Sequence, residues 1–480
     1  MKLALKASYV CIGIILLTTD IFALKHVIIQ GEAAFAKGAE IRFYLYDELL
    51  TRNKTLITKT YINEEGAFQV EIPVLETREL ILNINTSEGS IFVEPEKNYN
   101  IILHTNEQLI NRIDAKYLGN TIQISILNSD TNELNWKINF FNQYYNYFLY
   151  KHSVPIISMI PQNVYDSLLQ IITDRFPLHI DTLDFYSIYT TFRIAQIEKM
   201  YYKKSMQKLY DKYLNNKYIH YHNPAYMDFF IQCYDNYIYA GSKYITRKLL
   251  LYDINQLNDY YTLSNDLGKD PYLLNEMVRE IALIKNLSTL FLQHEDFNKK
   301  NLLLLLRKIA ETTKFEEHKK MAENTIFNLT NLKAGSIAPD CQFKDIHNNT
   351  LKLSDYKGKY VFLHFFTLDC QECIREMLII KKLYEMYGDY VEFFSVMLDV
   401  EPSKLYHFVS AYPEFKWNFV HFNKDFTFID AYKIYSLPLG MFLNEKSYII
   451  SYPTPIATEL GSLFLFTFKD VIHSPYRTKN

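Results

Sequence analysis

Between Gly119 and Gly335 the chain carries only two glycines, Gly241 and Gly268. A stretch that long, almost without the residue that most readily takes turn conformations, is not a succession of short strands and tight turns. Its apolar residues recur at helical spacing over 134–150, 163–174, 187–214, 225–239, 271–295 and 299–329. In the last of these, Leu302, Leu305, Leu306 and Ile309 form a stripe, and Lys308 and Glu311 lie off it. The spacing predicts an all-helical region over 106–333. No fixed internal period marks a solenoid. The many Tyr and Phe residues there read as core and groove lining rather than as a cofactor pocket.

The text on either side is different. Over 24–105, Ile41, Phe43 and Leu45 alternate with Arg42 and Tyr44, and Phe68, Val70 and Ile72 alternate with Gln69 and Glu71. Turn-like breaks fall at 63–66, 87–89 and 94–96, which predicts a small β-sandwich. Over 334–480 a buried-type strand, Tyr360–Phe366, is followed by a helix, a second strand at Val391–Met397 and a hairpin-like pair near the end. That order predicts an α/β domain. At 480 residues, and roughly 150 per domain, three unequal domains fit the length.

The start, MKLALK, is basic, and the apolar run that follows ends near Ile21–Phe22–Ala23. This is the order of a secretory signal peptide over 1–23. The alternative, a retained anchor, is disfavoured because the apolar segment is short and contains Asp20. The expectation is a periplasmic or secreted protein with no transmembrane segment after cleavage. Lys and Arg total 51 against 54 Asp and Glu, a net charge of −3. That balance gives no basic surface for a general nucleic-acid binder.

Five cysteines are too few for a disulfide scaffold. Cys11 leaves with the signal, and Cys233 and Cys341 read as buried, inert thiols. Cys370 and Cys373 remain, as Cys370–Gln371–Glu372–Cys373 between a buried strand and a helix. A cysteine at a helix start feels the positive end of the dipole, which favours the attacking thiolate. Cys370 is therefore the expected exposed nucleophile. Cys373, one turn inward, is the expected resolving thiol. A zinc site would need two more ligands, and no second CxxC or His and Cys cluster adjoins the pair. His220 and His222, at i and i+2, do not share a helix face and read as surface histidines in a turn before Pro224. No metal site and no cofactor beyond the redox-active Cys370–Cys373 pair is expected.

Residues 335–468 resemble the TlpA/ResA-like branch of the thioredoxin superfamily. The likeness rests on Ala338–Pro339–Asp340, on Leu353–Ser354–Asp355–Tyr356–Lys357–Gly358–Lys359 and on Phe362–Leu363–His364–Phe365–Phe366. It continues through the CQEC motif and Glu376 to Pro438–Leu439–Gly440–Met441–Phe442–Leu443–Asn444. The upstream arrangement is more loosely similar to secreted thioredoxin-like proteins of Bacteroidetes. The resemblance implies a C-terminal thioredoxin-like domain and a thiol–disulfide oxidoreductase that reduces protein disulfides and is recycled by a redox partner. It implies that Pro438 is the cis-proline facing the disulfide, with the backbone of Leu437 exposed to pair with a bound polypeptide. It also implies that Glu376, three residues after Cys373, tunes the thiols.

Two positions depart from the family. Asp369 stands where a Trp usually precedes the first cysteine. With Glu372 inside the motif, it places two carboxylates around Cys370 and opposes the helix dipole. A nucleophile without a strongly depressed pKa is expected, which suits a reductant. His364 stands where relatives carry Asp or Asn beneath the cysteines, and it is a candidate acceptor for the Cys373 proton. Two other functions compete. One is a non-enzymatic binding protein with a vestigial thioredoxin-like domain. The other is a thiol peroxidase, suggested by Thr367 three before Cys370 but opposed by Leu363 where peroxiredoxins carry proline.

Overall fold

The computed structural model describes residues 25–472 apart from 111, 113–119, 159, 202–204, 216 and 217. The expected signal peptide and Cys11 lie outside the described residues.

Eight strands come first among the described residues. They are β1 (His26–Glu32), β2 (Glu40–Tyr46), β3 (Lys54–Tyr61), β4 (Ala67–Pro73), β5 (Arg78–Ile84), β6 (Ser87–Val93), β7 (Asn98–His104) and β8 (Gln123–Ile126). They form two four-stranded sheets, ordered β4-β1-β7-β8 and β3-β2-β5-β6. Alternate residues of both sheets, among them Ile29, Phe43, Ile72, Leu82 and Ile101, share one buried cluster. The strands continue past residue 105, because β8 pairs antiparallel with β7. Its four residues alternate only between exposed and half-buried, a pattern too faint to separate from the helical text that follows.

The middle of the chain is helical: α1 (Leu134–Ile157), α2 (Gln162–Thr173), α3 (Phe185–Met200), α4 (Met206–Leu209), α5 (Pro224–Tyr234), α6 (Arg247–Tyr252), α7 (Tyr260–Leu267), α8 (Glu276–Gln293), α9 (Lys299–Thr312) and α10 (Glu316–Thr330). The stretch read as one helix over 299–329 is two. The hydroxyl of Thr313 accepts from Phe315 N–H at 3.2 Å, a local bond that competes with the helical ladder. Glu316 and Glu317 then open α10, where the dipole favours acidic residues. The stretch over 187–214 also divides, with a new helix capped by Ser205.

His220 and His222 are half-buried rather than surface residues. His220 packs against Tyr226, and His222 Nε2 meets Glu76 at 2.9 Å. Asn223 and Pro224 cap the start of α5. Other bonds tie the sheets to the helices. Arg52 pairs with Asp228 at 2.6 Å, and buried Glu48 accepts from Asn324.

The last part is a seven-stranded sheet ordered β10-β9-β13-β12-β11-β14-β15. Its strands are β9 (Gln342–Asp345), β10 (Thr350–Lys352), β11 (Tyr360–Phe366), β12 (Val391–Met397), β13 (Asn418–His421), β14 (Leu439–Leu443) and β15 (Ile449–Ser451). The helices are α11 (Gln371–Tyr387), α12 (Ser403–Ala411), α13 (Phe426–Ala431) and α14 (Ala457–Ile472). Strands β11, β12 and β13 run parallel, and β14 is antiparallel to β11. The interior strand β11 is covered on both faces. Val361, Leu363 and Phe365 enter one core, and Phe362 and Phe366 enter the other, beneath α11. The two-residue period places His364 on that second face. Buried Arg42 of β2 lies 3.9 Å from Asp430 and over the ring of Phe426, so the first sheets abut α13.

Candidate active site

Cys370 and Cys373 are joined as a disulfide, with their Cα atoms 5.3 Å apart. Cys370 is the N-cap of α11, and its sulfur accepts from Cys373 N–H at 3.1 Å. The sulfur thus sits where the unpaired amides of the first turn converge, and a thiolate there is stabilised. Cys370 is half-buried and reachable, whereas Cys373, in the first turn of α11, is fully buried. Asp369 and Glu372 are both exposed, and Glu372 pairs with Arg375 at 3.0 Å. That pairing takes part of the like charge away from Cys370.

A residue that the sequence did not flag holds the loop in front of the motif. Asp399, directly after β12, accepts from Leu368 N–H at 2.8 Å and lies 3.3 Å from Lys404. It stands at the carboxyl end of the parallel strands, where α/β sheets place their sites. That rule was the available signal, since no local motif includes it. Asp399→Ala is expected to cost about 1–3 kcal/mol by orphaning the Leu368 amide. Asp399→Asn is expected to restore much of it, and urea unfolding of the two variants checks this.

Glu376 and His364 come together. Glu376 Oε2 lies 3.9 Å from His364 Nε2, and Oε1 accepts from Ala457 N–H at 3.1 Å, at the start of α14. Burial raises the carboxyl pKa, the Ala457 bond opposes the rise, and Glu372 adds to it. The Nδ1 of His364 is 3.3 Å from Ser395 Oγ, which also accepts from Trp417 Nε1 at 2.8 Å. Nε2 has no hydrogen-bond partner. Burial pushes the imidazole down to about 3. The ring is therefore neutral, and a weaker proton acceptor for Cys373 than its position alone suggested.

The Leu437–Pro438 peptide is cis. In the register of β14 on β11, Leu439 stands opposite Phe365. Pro438 therefore flanks the end of β11 from which the 367–370 loop leaves, and Leu437 packs against both cores of the sheet. Cys233 and Cys341 are free and buried. Burial pushes both thiols up to about 12, which keeps them protonated and unreactive. Among the described residues no group of three or more His, Cys, Asp and Glu side chains is placed to hold a metal ion.

An oxidised cysteine pair capping the helix that follows an interior strand of a mixed sheet is the arrangement of the thioredoxin-like thiol–disulfide oxidoreductases, and this region defines a protein of that class. Residues 334–453 match the AhpC/TSA family. The chain is 32% identical over 129 residues to thiol-disulfide oxidoreductase ResA of Halalkalibacterium halodurans, covering 26% of this chain and 72% of that protein. It is 28% identical over 142 residues to ResA of Bacillus subtilis, covering 28% and 78%. A solved thioredoxin domain of a thiol-disulfide oxidoreductase from Bacteroides vulgatus is 24% identical, with a TM-score of 0.27, covering 28% of this chain and 99% of that one. The chain belongs to the ResA family of thiol–disulfide oxidoreductases, and the matched region is its C-terminal part.

Proposed function

We propose that the protein reduces disulfides of polypeptides outside the cytoplasm, through Cys370 and Cys373. The observation that carries this reading is the exposure difference across the pair: a reachable sulfur at the helix N-terminus, with its partner buried one turn in. In the reduced protein the Cys370 thiolate attacks one sulfur of the substrate disulfide. That S–S bond breaks, a mixed disulfide forms, and the other substrate sulfur leaves as a thiolate that takes a proton. Cys373 then gives up its proton and attacks the Cys370 sulfur. The second substrate thiol is released and the Cys370–Cys373 disulfide forms. Two electrons from a separate redox partner return the pair to dithiol.

Glu376 is the group we assign to the Cys373 proton. It lies one turn along the same face of α11, and its raised pKa brings a carboxyl nearer to a thiol in proton affinity. The Ala457 amide holds its Oε1, and neutral His364 lies beneath it. The cis Leu437–Pro438 segment supplies the backbone against which the substrate strand lies, as in the family. No helix among the described residues is long and apolar enough to cross a membrane. The expected signal peptide is what supports action outside the cytoplasm.

Cys373→Ser tests the mechanism. It retains the first attack and loses resolution, so a reduced Cys373→Ser protein mixed with oxidised insulin is expected to accumulate a covalent adduct that dithiothreitol dissolves. No adduct, with Cys370 still titratable, would overturn the reading.

A further inference from the structure

Strand β6 is the edge of one N-terminal sheet and β8 is the edge of the other. The two edges meet at one point and then part. At the meeting point Glu88 bridges Thr121 in parallel orientation, and the Glu88 carbonyl accepts from Ile122 N–H at 2.9 Å. A Cβ on the adjacent Gly89 would collide with the Ile122 carbonyl, so glycine permits the close approach. Beyond it the strands splay around a cleft of about 910 Å³, with α1 along its open side.

Both edges present backbone groups to this cleft. In β6 the groups of Glu88 and Phe92 point away from β5, so by strand alternation those of Ser90 do too. Glu88 is taken by Ile122. The Asn135 amide holds Phe92 as a neighbouring strand would, accepting from Phe92 N–H at 2.7 Å and donating to Phe92 C=O at 2.8 Å. Ser90 lies between them, and among the described residues its N–H and C=O have no partner on that side. In β8, Leu127 N–H bonds inward to Asn100 C=O at 2.7 Å. The register on β7 therefore turns the amides of Ile124 and Ile126 outward, into the cleft. The helix wall opposite carries Trp136 and Phe140, stacked with centroids 5.3 Å apart, at one-turn spacing with Asn139 and Gln143. The charged lining is Arg52 and Arg193 with Glu79, Glu133 and Asp228, and Arg52 pairs with Asp228.

We propose that this cleft binds an extended polypeptide segment from another protein as an added strand between β6 and β8. A row of unpaired strand amides and carbonyls recognises main chain. The aromatic wall suits apolar side chains on one face of the guest, and the three lining carboxylates against two arginines disfavour an anionic ligand. The site is distinct from the cysteine pair, and the proposal does not rest on the redox mechanism.

The probe is carboxymethylated insulin B chain, an unfolded polypeptide whose blocked thiols cannot react with Cys370. Hydrogen exchange of the full chain is measured with and without it. The amides of Ser90, Ile124 and Ile126 are expected to exchange at least about tenfold more slowly with saturating peptide. Ser90→Pro removes one outward N–H at an exposed edge position, where proline is tolerated, and is expected to weaken binding at least about tenfold. Ser90→Ala, which keeps that amide, is expected to bind within about twofold of the parent. Trp136→Ala, a change on an exposed helix face, is expected to weaken binding without shifting the melting temperature. Three outcomes would overturn the proposal: amides already protected without peptide, which would show that the chain's own residues 1–24 or a second copy cover the edges; protection confined to Leu437–Leu439; or unchanged exchange at all three amides.

Discussion

Cys370→Ser is expected to lower the reduction of insulin disulfides by at least about a thousandfold, to the level of the dithiol reductant alone. The reason is positional. Cys370 is the reachable member of the pair and the one whose sulfur caps α11. Cys373 is fully buried, so it cannot inherit the attack. A serine hydroxyl at the same cap would still accept the Cys373 amide, so the fold is expected to survive with the chemistry gone. The same experiment separates the competing functions. A thiol peroxidase would keep consuming peroxide in Cys373→Ser, because only the first cysteine is needed to form a sulfenic acid. It would lose that activity in Cys370→Ser. A non-enzymatic binder would show no change in either variant. Insulin reduction by Cys370→Ser at more than a tenth of the parent rate would remove Cys370 from the mechanism.

The local parts of this site were legible and the assembled parts were not. The CxxC spacing, the helix start at Cys370 and the two-residue alternation that turns His364 toward α11 are properties of neighbouring residues, and they can be read in order along the chain. Asp399 and Ser395 reach the site only through the pairing of β11 with β12, and Trp417 only through β13 on β12. Nothing near those residues in sequence marks them. The same contrast holds upstream. The near-absence of glycine pointed to helices over 106–333, but the hydroxyl of Thr313 divides one of them by a bond that apolar periodicity does not record. Strand β8 escaped notice because it is an edge strand of four residues with its outer side open, and the hydrophobic pattern of such a strand is weakest. That exposed edge now carries the proposed peptide site, so the weak pattern and the binding surface have one cause.

His364 gives the second large effect, on stability rather than rate. Its folded pKa is pushed by burial from 6.5 down to about 3. Above pH 6.5 the ring is neutral in both states, and it contributes its full share to stability. As the pH falls below 6.5 the unfolded chain takes up a proton that the folded one refuses, so stability drains away until the pH reaches the folded value. Between pH 7 and pH 5 the loss amounts to about 2 kcal/mol. Glu376, 3.9 Å away, does not rescue the imidazolium, because it makes no hydrogen bond to Nε2. His421 is likewise buried and its pKa lowered, so it adds a parallel slope that both proteins share. His364→Gln keeps a polar partner for Ser395 and cannot titrate. Urea unfolding at pH 7 and pH 5 is expected to show the parent losing about 2 kcal/mol more than His364→Gln over that interval. Equal losses in the two proteins would mean that His364 is protonated in the folded state. The neutral imidazole beneath the cysteine pair, and the assignment of the Cys373 proton to Glu376, would then both have to be given up.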